Sequence, residues 1–211
     1  MENDTARPQD HDARFDCDRF LVEQLIRPIV NLYRVTPLGI GETPAGGPAV
    51  FVRQKRMALK EDIRFYADES ETQELFRIKA RRMFEFRGRY DVTAADGSTI
   101  GALEKSFGRS LLRSTWRVLD ADGSELAIAH ERSVPVAIVR RFVDFVPSVG
   151  SLIPIPYHFD ILVNGARIGG MTRKFQLRDR YVLDLSDDPG RRIDRRLGIA
   201  LAIGLDTLQN R

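Results

Sequence analysis

The chain has 211 residues, of which 43% are hydrophobic and 30% are charged, and its net charge is +3. This length and apolar content are enough for one β-rich domain with a substantial core. The single cysteine excludes an internal disulfide and is typical of a reducing compartment. Because no run of 18 apolar residues occurs, we expect a cytoplasmic protein that is soluble or peripheral to a membrane.

Charge is unevenly distributed along the chain. Residues 1–24 carry seven acidic residues and three arginines, so the remainder carries 30 basic and 23 acidic residues. The polar, aperiodic composition of residues 1–17 predicts a disordered acidic tail. The predominance of arginine over lysine favours bidentate pairing with carboxylates or phosphates, although a GC-rich genome gives the same excess.

The segment 18–48 is predicted to precede the strand-rich region. From Asp18 to Arg27 the apolar spacing favours a short amphipathic helix with Asp18 as its cap. Residues 31–35 are predicted as a first strand. Four glycines and three prolines make residues 36–48 a loop.

From residue 49 onward, strands dominate the pattern. The ranges 49–57, 63–67, 75–83 and 87–93 are rich in β-formers and are bounded by charged or turn-forming residues. Within residues 75–83, apolar side chains alternate with basic ones. This alternation predicts a half-buried strand with a basic outer face.

A hairpin unit then occurs three times, over residues 90–105, 116–131 and 159–174. Each copy has an aromatic-led strand, an Asp-Gly or Asn-Gly turn and a returning strand that ends in charge. The glycine supplies the positive φ that a tight hairpin requires. Three hairpins of one kind predict an antiparallel meander.

The segment 134–157 interrupts the hairpins. Its large apolar residues surround two arginines, and alternating prolines near its end force an extended conformation. One interpretation is an interfacial segment that contacts a membrane or a partner. The other is a lid that closes one end of a barrel and buries the same side chains. The candidate contact residues are Arg140, Arg141, Phe142 and Phe145.

The chain ends in an apolar run from Leu197 to Leu205, bracketed by Asp194 and Asp206. A helix without a polar face must be buried. Nine residues cover only about 13.5 Å, far less than a bilayer requires. We therefore predict a helix within residues 191–209 that is enclosed by strands.

These parts, in this order, resemble the LURP-one-related family and the phospholipid scramblase family, which share the tubby C-terminal fold. The resemblance covers roughly residues 49–208 and rests on Val52-Arg53-Gln54-Lys55, Tyr90…Asp96-Gly97, Trp116…Asp122-Gly123, Phe159…Asn164-Gly165, Tyr181-Val-Leu-Asp-Leu185 and Asp194…Asp206. It implies a mainly β fold, a closed antiparallel barrel of about twelve strands around the buried C-terminal helix, over residues 49–211. The cysteine run and calcium segment of scramblases have no counterpart, so lipid scrambling is not implied.

Candidate catalytic groups are scattered along the chain. His11, His130 and His158 lack metal-ligand spacing, and Cys17 has no neighbouring base. Neither a nucleophile elbow nor a phosphate-binding loop occurs. The sequence therefore predicts a protein that is not an enzyme and uses no metal or cofactor.

Basic residues of the early strands are the candidate ligand site. If these strands are neighbours, their outer faces form a patch suited to phosphates or anionic lipid headgroups. The alternative is a solvated exterior in which the same side chains pair with nearby carboxylates. The candidate headgroup-binding residues are Arg53, Lys55, Arg77, Lys79 and Arg81.

Two functions stay open at this point. The first is a binding or scaffold module that engages anionic phospholipid through the basic strands. The second is a protein–protein adaptor in which the N-terminal tail or the segment 134–157 makes the contact. Nucleic acid is not a predicted partner, because the aromatic residues occupy the core-facing positions of the predicted strands instead of alternating with arginines on an exposed face.

Overall fold

The structure is a computed structural model that describes residues 12–25, 30–55, 62–80, 88–106, 115–132, 158–174 and 180–208. Within these ranges twelve strands form one closed antiparallel barrel, and an α-helix follows them. Each strand pairs with the next along the chain, and the last strand pairs with the first to close the barrel. The predicted barrel with its C-terminal helix is confirmed.

The strands are β1 (Arg19–Leu25), β2 (Val30–Pro37), β3 (Val50–Lys55), β4 (Asp62–Tyr66), β5 (Glu74–Ala80), β6 (Arg89–Ala94), β7 (Thr99–Ser106), β8 (Thr115–Leu119), β9 (Glu125–Glu131), β10 (His158–Val163), β11 (Ala166–Lys174) and β12 (Arg180–Asp184). The helix α1 spans Arg195–Thr207. Short 3-10 turns lie at Ala13–Phe15 and Ile40–Glu42.

The first strand lies where the sequence favoured a helix. The predicted helix over residues 18–27 is wrong, because residues 19–25 form β1 and pair with both β2 and β12. Phe20 and Val22 alternate into the core, a period-two pattern that a short apolar run does not distinguish from a helical one. The barrel therefore begins at Arg19, and β1 and β2 come from the segment predicted to precede it.

The three predicted hairpins are β6–β7, β8–β9 and β10–β11. Their turn glycines, Gly97, Gly123 and Gly165, have φ values of 88°, 87° and 79°. These left-handed conformations strain any residue with a Cβ atom, so the Asp-Gly and Asn-Gly pairs set the turn type.

Two segments singled out in the sequence lie partly or wholly outside the residues that the structure describes. Of the predicted tail, the structure describes residues 12–17, where Asp12 caps the first 3-10 turn and Phe15 makes an edge-to-face contact with Phe76. The segment 134–157 lies outside the described ranges altogether.

Helix α1 occupies the barrel lumen. Every residue from Leu197 to Leu205 is buried. The helix contacts β7 and also β1 and β12, and β7 stands on the opposite side of the closed barrel from the β1–β12 pair. A helix that touches opposite walls lies between them. The predicted enclosure of this apolar helix is confirmed. The helix begins at Arg195, and the side chain of the preceding Asp194 caps it by accepting a hydrogen bond from the Arg196 N–H.

The helix and the barrel wall approach each other closely at two glycines. A Cβ atom on Gly198 would lie 2.8 Å from Cδ1 of Leu185, and one on Gly101 would lie 3.0 Å from Cδ2 of Leu197 on the helix and 2.4 Å from the carbonyl oxygen of Leu119. Because that carbonyl belongs to the backbone, the packing requires glycine at position 101, whereas at position 198 the end of the Leu185 side chain would have to shift.

The first turn of α1 is anchored by a buried ion pair. The Arg195 side chain is 1% exposed, and its Nη1 donates to Oδ2 of Asp188 at 3.0 Å. Its Nη2 donates to Oδ1 of Asp18 at 2.6 Å. Burial raises the pKa of Asp188, but hydrogen bonds from the Ile193 N–H and from Arg195 outweigh it and hold the pKa below its usual range.

The last turn of α1 is anchored by hydroxyl groups. Asp206 accepts hydrogen bonds from the Tyr33 hydroxyl at 2.7 Å and from the Tyr181 hydroxyl. Tyr33 belongs to β2 and Tyr181 to β12, the two strands that flank β1. Asp18 and Asp188 also adjoin β1 and β12, so both ends of the helix are tied to the seam where the barrel closes.

We expect the substitution Leu201→Asp to abolish soluble expression. Leu201 is 1% exposed within the lumen, and an unpaired charge there costs about 4 kcal/mol or more. The matched control is Ile128→Asp, at an outward position of β9 whose Cα partner is Arg117. Comparing soluble yield and circular dichroism of the two variants tests the enclosure, and a folded Leu201→Asp protein would contradict it.

Removal of the Arg195 guanidinium is expected to destabilise the fold by about 1.5–3 kcal/mol, because the buried Asp188 loses one charged donor and keeps only Arg192, at 3.2 Å, as an ion-pair partner. The measurement is urea unfolding of Arg195→Met.

Because the pKa of Asp188 is depressed in the folded state, the ionised Asp188 stabilises the fold above about pH 4, and this stabilisation is lost as the pH falls further. The difference in unfolding free energy between the native chain and Asp188→Asn should therefore shrink below about pH 4. A difference independent of pH would contradict this assignment.

Candidate functional site

The structure places three of the predicted basic residues, Arg53 of β3 and Arg77 and Lys79 of β5, on one outer face. Arg53 in β3 is the Cα partner of Arg64 in β4, and Arg64 is the Cα partner of Arg77 in β5. The three arginines thus form a row across three neighbouring strands, which we call the arginine row. Arg64 is not one of the headgroup-binding residues predicted from the sequence. Its outward position follows from the alternation of β4, where Ile63 and Phe65 are fully buried.

The structure describes only some of the remaining residues predicted to form a site. Lys79 is exposed on β5, two residues beyond the arginine row, and its Cα partners are Asp62 and Asp91. Lys55 belongs to β3 by its backbone, and its side chain lies outside the description. The other predicted residues, Arg81, Arg140, Arg141, Phe142 and Phe145, lie outside the described ranges.

Carboxylates neutralise the arginine row. Arg53 Nη1 lies 2.5 Å from Oε2 of Glu71, and Arg77 Nε lies 2.7 Å from Oε1 of Glu74. Arg64 pairs with Asp62 at 3.1 Å, and this hydrogen bond raises the pKa of Arg64 above its ordinary value. The face is therefore a network of ion pairs. Ion pairs this accessible to solvent contribute about 0–1 kcal/mol each, so an incoming anion can exchange with them.

A groove runs beside the arginine row on the outside of β1–β4. Its larger part is a cavity of about 250 Å³, and a second part of about 200 Å³ shares Arg53 and Tyr66 with it. The larger part is lined by Leu25, Leu32, Tyr33, Arg34, Phe51, Val52, Arg53, Tyr66, Glu69 and Glu71. The groove thus combines an apolar floor with two arginines and two glutamates.

Both glutamates of the groove come from the turn that joins β4 to β5. Asp68 accepts hydrogen bonds from the hydroxyl and the N–H of Ser70, which lower the pKa of Asp68 and shape the turn. Glu69 Oε1 lies 2.7 Å from Nη2 of Arg34, as Glu71 lies against Arg53. Glu71 has a φ of 56°, an uncommon value for a residue with a side chain. We call these residues, 68–71, the acidic turn.

A second ion-pair network lies on β10 and β11. Asp160 accepts hydrogen bonds from Arg132 at 2.6 Å and Arg167 at 3.0 Å, and the Arg132 bond contributes most to lowering the pKa of Asp160. Arg167 continues to Asp187 at 2.8 Å. Burial, followed by the charge of Arg132, lowers the pKa of His158. The arginines and carboxylates of this network pair with one another, whereas the buried His158 Nδ1 has no hydrogen-bond partner in the described structure.

The candidate catalytic residues do not form one group. His130 in β9 and His158 in β10 share the outer face of neighbouring strands, since His130 is the Cα partner of Asp160. Cys17 lies apart from them, where its Sγ donates to the backbone oxygen of Arg19 at 2.9 Å, and His11 lies outside the described ranges. No group of three His, Cys, Asp or Glu side chains that could hold a metal ion occurs in the described part of the chain. No helix among the described residues has the length and apolarity needed to cross a bilayer.

A closed antiparallel barrel filled by its own C-terminal helix defines a class of β-barrel modules. Within that class, the family model described as LURP-one-related matches residues 49–206. The chain belongs to the LURP-one-related family, which confirms the LURP-one-related part of the resemblance seen in the sequence. No curated protein matches it. The match begins at the start of β3, so β1 and β2 complete the barrel from outside the matched range.

Sequence reasoning missed the groove because its parts are far apart in the chain. The alternation of β3 and β5 indicated outward Arg53 and Arg77, but Arg34 lies on β2, and its partner Glu69 lies 35 residues away. The only sequence signal for the acidic turn is the run Asp68-Glu-Ser-Glu71, which is also typical of any polar loop.

We predict that Glu71→Gly is more stable than Glu71→Ala by about 1 kcal/mol. Both substitutions remove the pair with Arg53, but only glycine adopts a positive φ without strain. Thermal unfolding of the two variants measures the difference. Equal stabilities would show that residue 71 does not hold the left-handed conformation.

Proposed function

We propose that the chain is a non-enzymatic binding module that takes an anionic phospholipid headgroup on the outer face of β3–β5. The observation that carries this proposal is the arginine row, Arg53, Arg64 and Arg77, in register beside a groove with an apolar floor. The LURP-one-related family and the barrel fold are not known as enzymatic, which supports a binding role.

The spacing of the arginine row suits phosphate groups. Neighbouring strands lie about 4.8 Å apart, so the row spans about 10 Å. A guanidinium binds a phosphate through two parallel N–H donors, more strongly than a neutral donor does. The Arg53 Nε is buried and has no acceptor in the described structure, so an anion gains this donor only when the Arg53 side chain turns outward.

The apolar floor of the groove suits the part of a lipid next to its headgroup. Leu25, Leu32 and Phe51 are half-buried there, so each retains apolar surface that solvent reaches. Covering this surface is favourable. A free inorganic phosphate gains nothing from these side chains, whereas a phospholipid contacts both them and the arginine row.

The acidic turn would control access to this site. Glu69 and Glu71 hold Arg34 and Arg53 from one short segment, so displacing that segment frees both arginines together. A negatively charged membrane surface repels these two carboxylates while it attracts the arginines.

The adaptor function stays a prediction. It relies on the N-terminal tail or on the segment 134–157. Only residues 12–17 of these lie within the described ranges, and they contribute the contact of Phe15 with Phe76. No described contact favours this alternative over the groove.

The test is co-sedimentation with liposomes of phosphatidylcholine alone or mixed with phosphatidylglycerol, at low and physiological salt. We expect salt-sensitive binding to the anionic liposomes only. The variant Arg53→Gln/Arg64→Gln/Arg77→Gln should bind about 100-fold more weakly, since each cation near the surface contributes about 1 kcal/mol. The matched control, Arg117→Gln/Arg132→Gln/Arg167→Gln, makes the same charge change on β8–β11 and should bind as the native chain does.

Opening the acidic turn provides the opposite test. Glu69→Gln/Glu71→Gln removes both carboxylates from the groove and should strengthen binding to phosphatidylglycerol about tenfold or more. The control Glu23→Gln/Glu125→Gln removes two ion-paired carboxylates elsewhere on the barrel. Equal gains in both variants would mean that net charge alone drives binding. Absence of binding at low salt would contradict the lipid proposal and favour a protein partner.

A further inference from the structure

The inward-facing residues change character along the barrel axis. On β1, β2 and β3 the inward residues near the start of α1 are Phe20, Val35 and Val50, all fully buried. Toward the other end of the same strands the inward residues are Gln24, Asn31 and Gln54. Register confirms their direction, because Gln24 is the Cα partner of the buried Tyr33, and the Asn31 amide donates to Gln54 at 2.8 Å.

The same change occurs on three further strands of the barrel, β7, β9 and β11. Lys105 in β7, Glu131 in β9 and Arg173 in β11 are Cα partners of the buried Trp116, Phe159 and Tyr181, respectively. Glu131 is only 2% exposed. We call these inward residues of the six strands the polar mouth: Gln24, Asn31, Gln54, Lys105, Glu131 and Arg173.

Helix α1 ends at the level of the polar mouth. Asp206, in its last turn, is bonded to Tyr33 on β2 and to Tyr181 on β12. Tyr33 is opposite Gln24, and Tyr181 is opposite Arg173. Apolar helix side chains thus fill the part of the lumen near the start of α1, whereas polar side chains from six strands face inward where the helix ends. The mouth of a β-barrel is a common location for ligand sites.

Within this polar end, one buried donor lacks an acceptor. Trp116 is 0% exposed, and its indole Nε1 has no hydrogen-bond partner in the described structure. Buried polar groups in native proteins nearly always have a partner, so such an orphaned donor needs an explanation. Lys105 Nζ lies 6.0 Å from the centroid of the same ring. An indole N–H beside an ammonium group favours an oxygen atom that carries negative charge.

We infer that the polar mouth binds a small monocarboxylate, whose oxygen atoms accept hydrogen bonds from the Trp116 Nε1–H and from Lys105. The two cations of the polar mouth, Lys105 and Arg173, are matched there by two acids, Glu131 and Asp206, and these acids repel a second negative charge on the ligand. That balance favours a single carboxylate over phosphate or a dicarboxylate. This site is separate from the lipid groove, because it faces the lumen and shares no residue with the arginine row.

The test uses the intrinsic fluorescence of Trp116, the only tryptophan in the chain. Acetate, lactate and benzoate are titrated at constant ionic strength, with inorganic phosphate as the dianionic comparison and chloride as the blank. We expect at least one monocarboxylate to change the emission saturably, phosphate to act more weakly and chloride to have no effect. If no monocarboxylate produces a saturable change, or if phosphate binds as tightly, the inference is wrong.

Variants distinguish a binding site from a merely structural tryptophan. Lys105→Gln should weaken carboxylate binding at least tenfold, whereas Lys174→Gln, which alters a lysine paired with Glu42, should leave it unchanged. Trp116→Phe should abolish the rise in melting temperature that the carboxylate causes in the native chain. Unchanged binding in Lys105→Gln would overturn the inference. So would a persistent carboxylate-dependent rise in Trp116→Phe, because the indole N–H would then serve no ligand.

Discussion

The fold depends on burying an apolar helix inside the barrel that the same chain forms. A barrel of eight strands is just wide enough for side chains to fill, so one of twelve needs additional material in its lumen. Helix α1 supplies it, and the barrel supplies the enclosure that a helix without a polar face requires. Arg195 and Asp206 then fix the two ends of the helix to the strands around the closing seam. Barrel closure and helix insertion are therefore coupled.

Filling the lumen confines ligand contact to the outer face and to the polar end. On the outer face, the arginine row is compensated by carboxylates, so its affinity for an anion is set by how readily those ion pairs exchange. The acidic turn holds two of the carboxylates and is itself shaped by Asp68 and by the left-handed backbone of Glu71. Strain of this kind persists only where the surrounding contacts enforce it.

The polar end of the lumen has a different chemistry. Its cations, acids and amides are held in a largely buried setting, where electrostatic interactions are stronger than at the surface and unsatisfied groups are costly. The outer groove is open and has an apolar floor. The two proposed sites thus differ in the ligand that their chemistry suits, an amphiphile for the groove and a small carboxylate for the polar mouth.

The sequence by itself determined the enclosed helix, the three hairpins and the family, because each depends on residues close together in the chain. An apolar run between Asp194 and Asp206 requires burial whatever surrounds it, and an Asp-Gly pair sets its own turn. It did not determine β1, whose short apolar pattern becomes a strand only because β2 and β12 pair with it. Arg195 meets Asp18 across 177 residues, and Glu69 meets Arg34 across 35. Such contacts exist only once the barrel has closed, and so do the groove and the polar mouth, so the tertiary structure alone decided them.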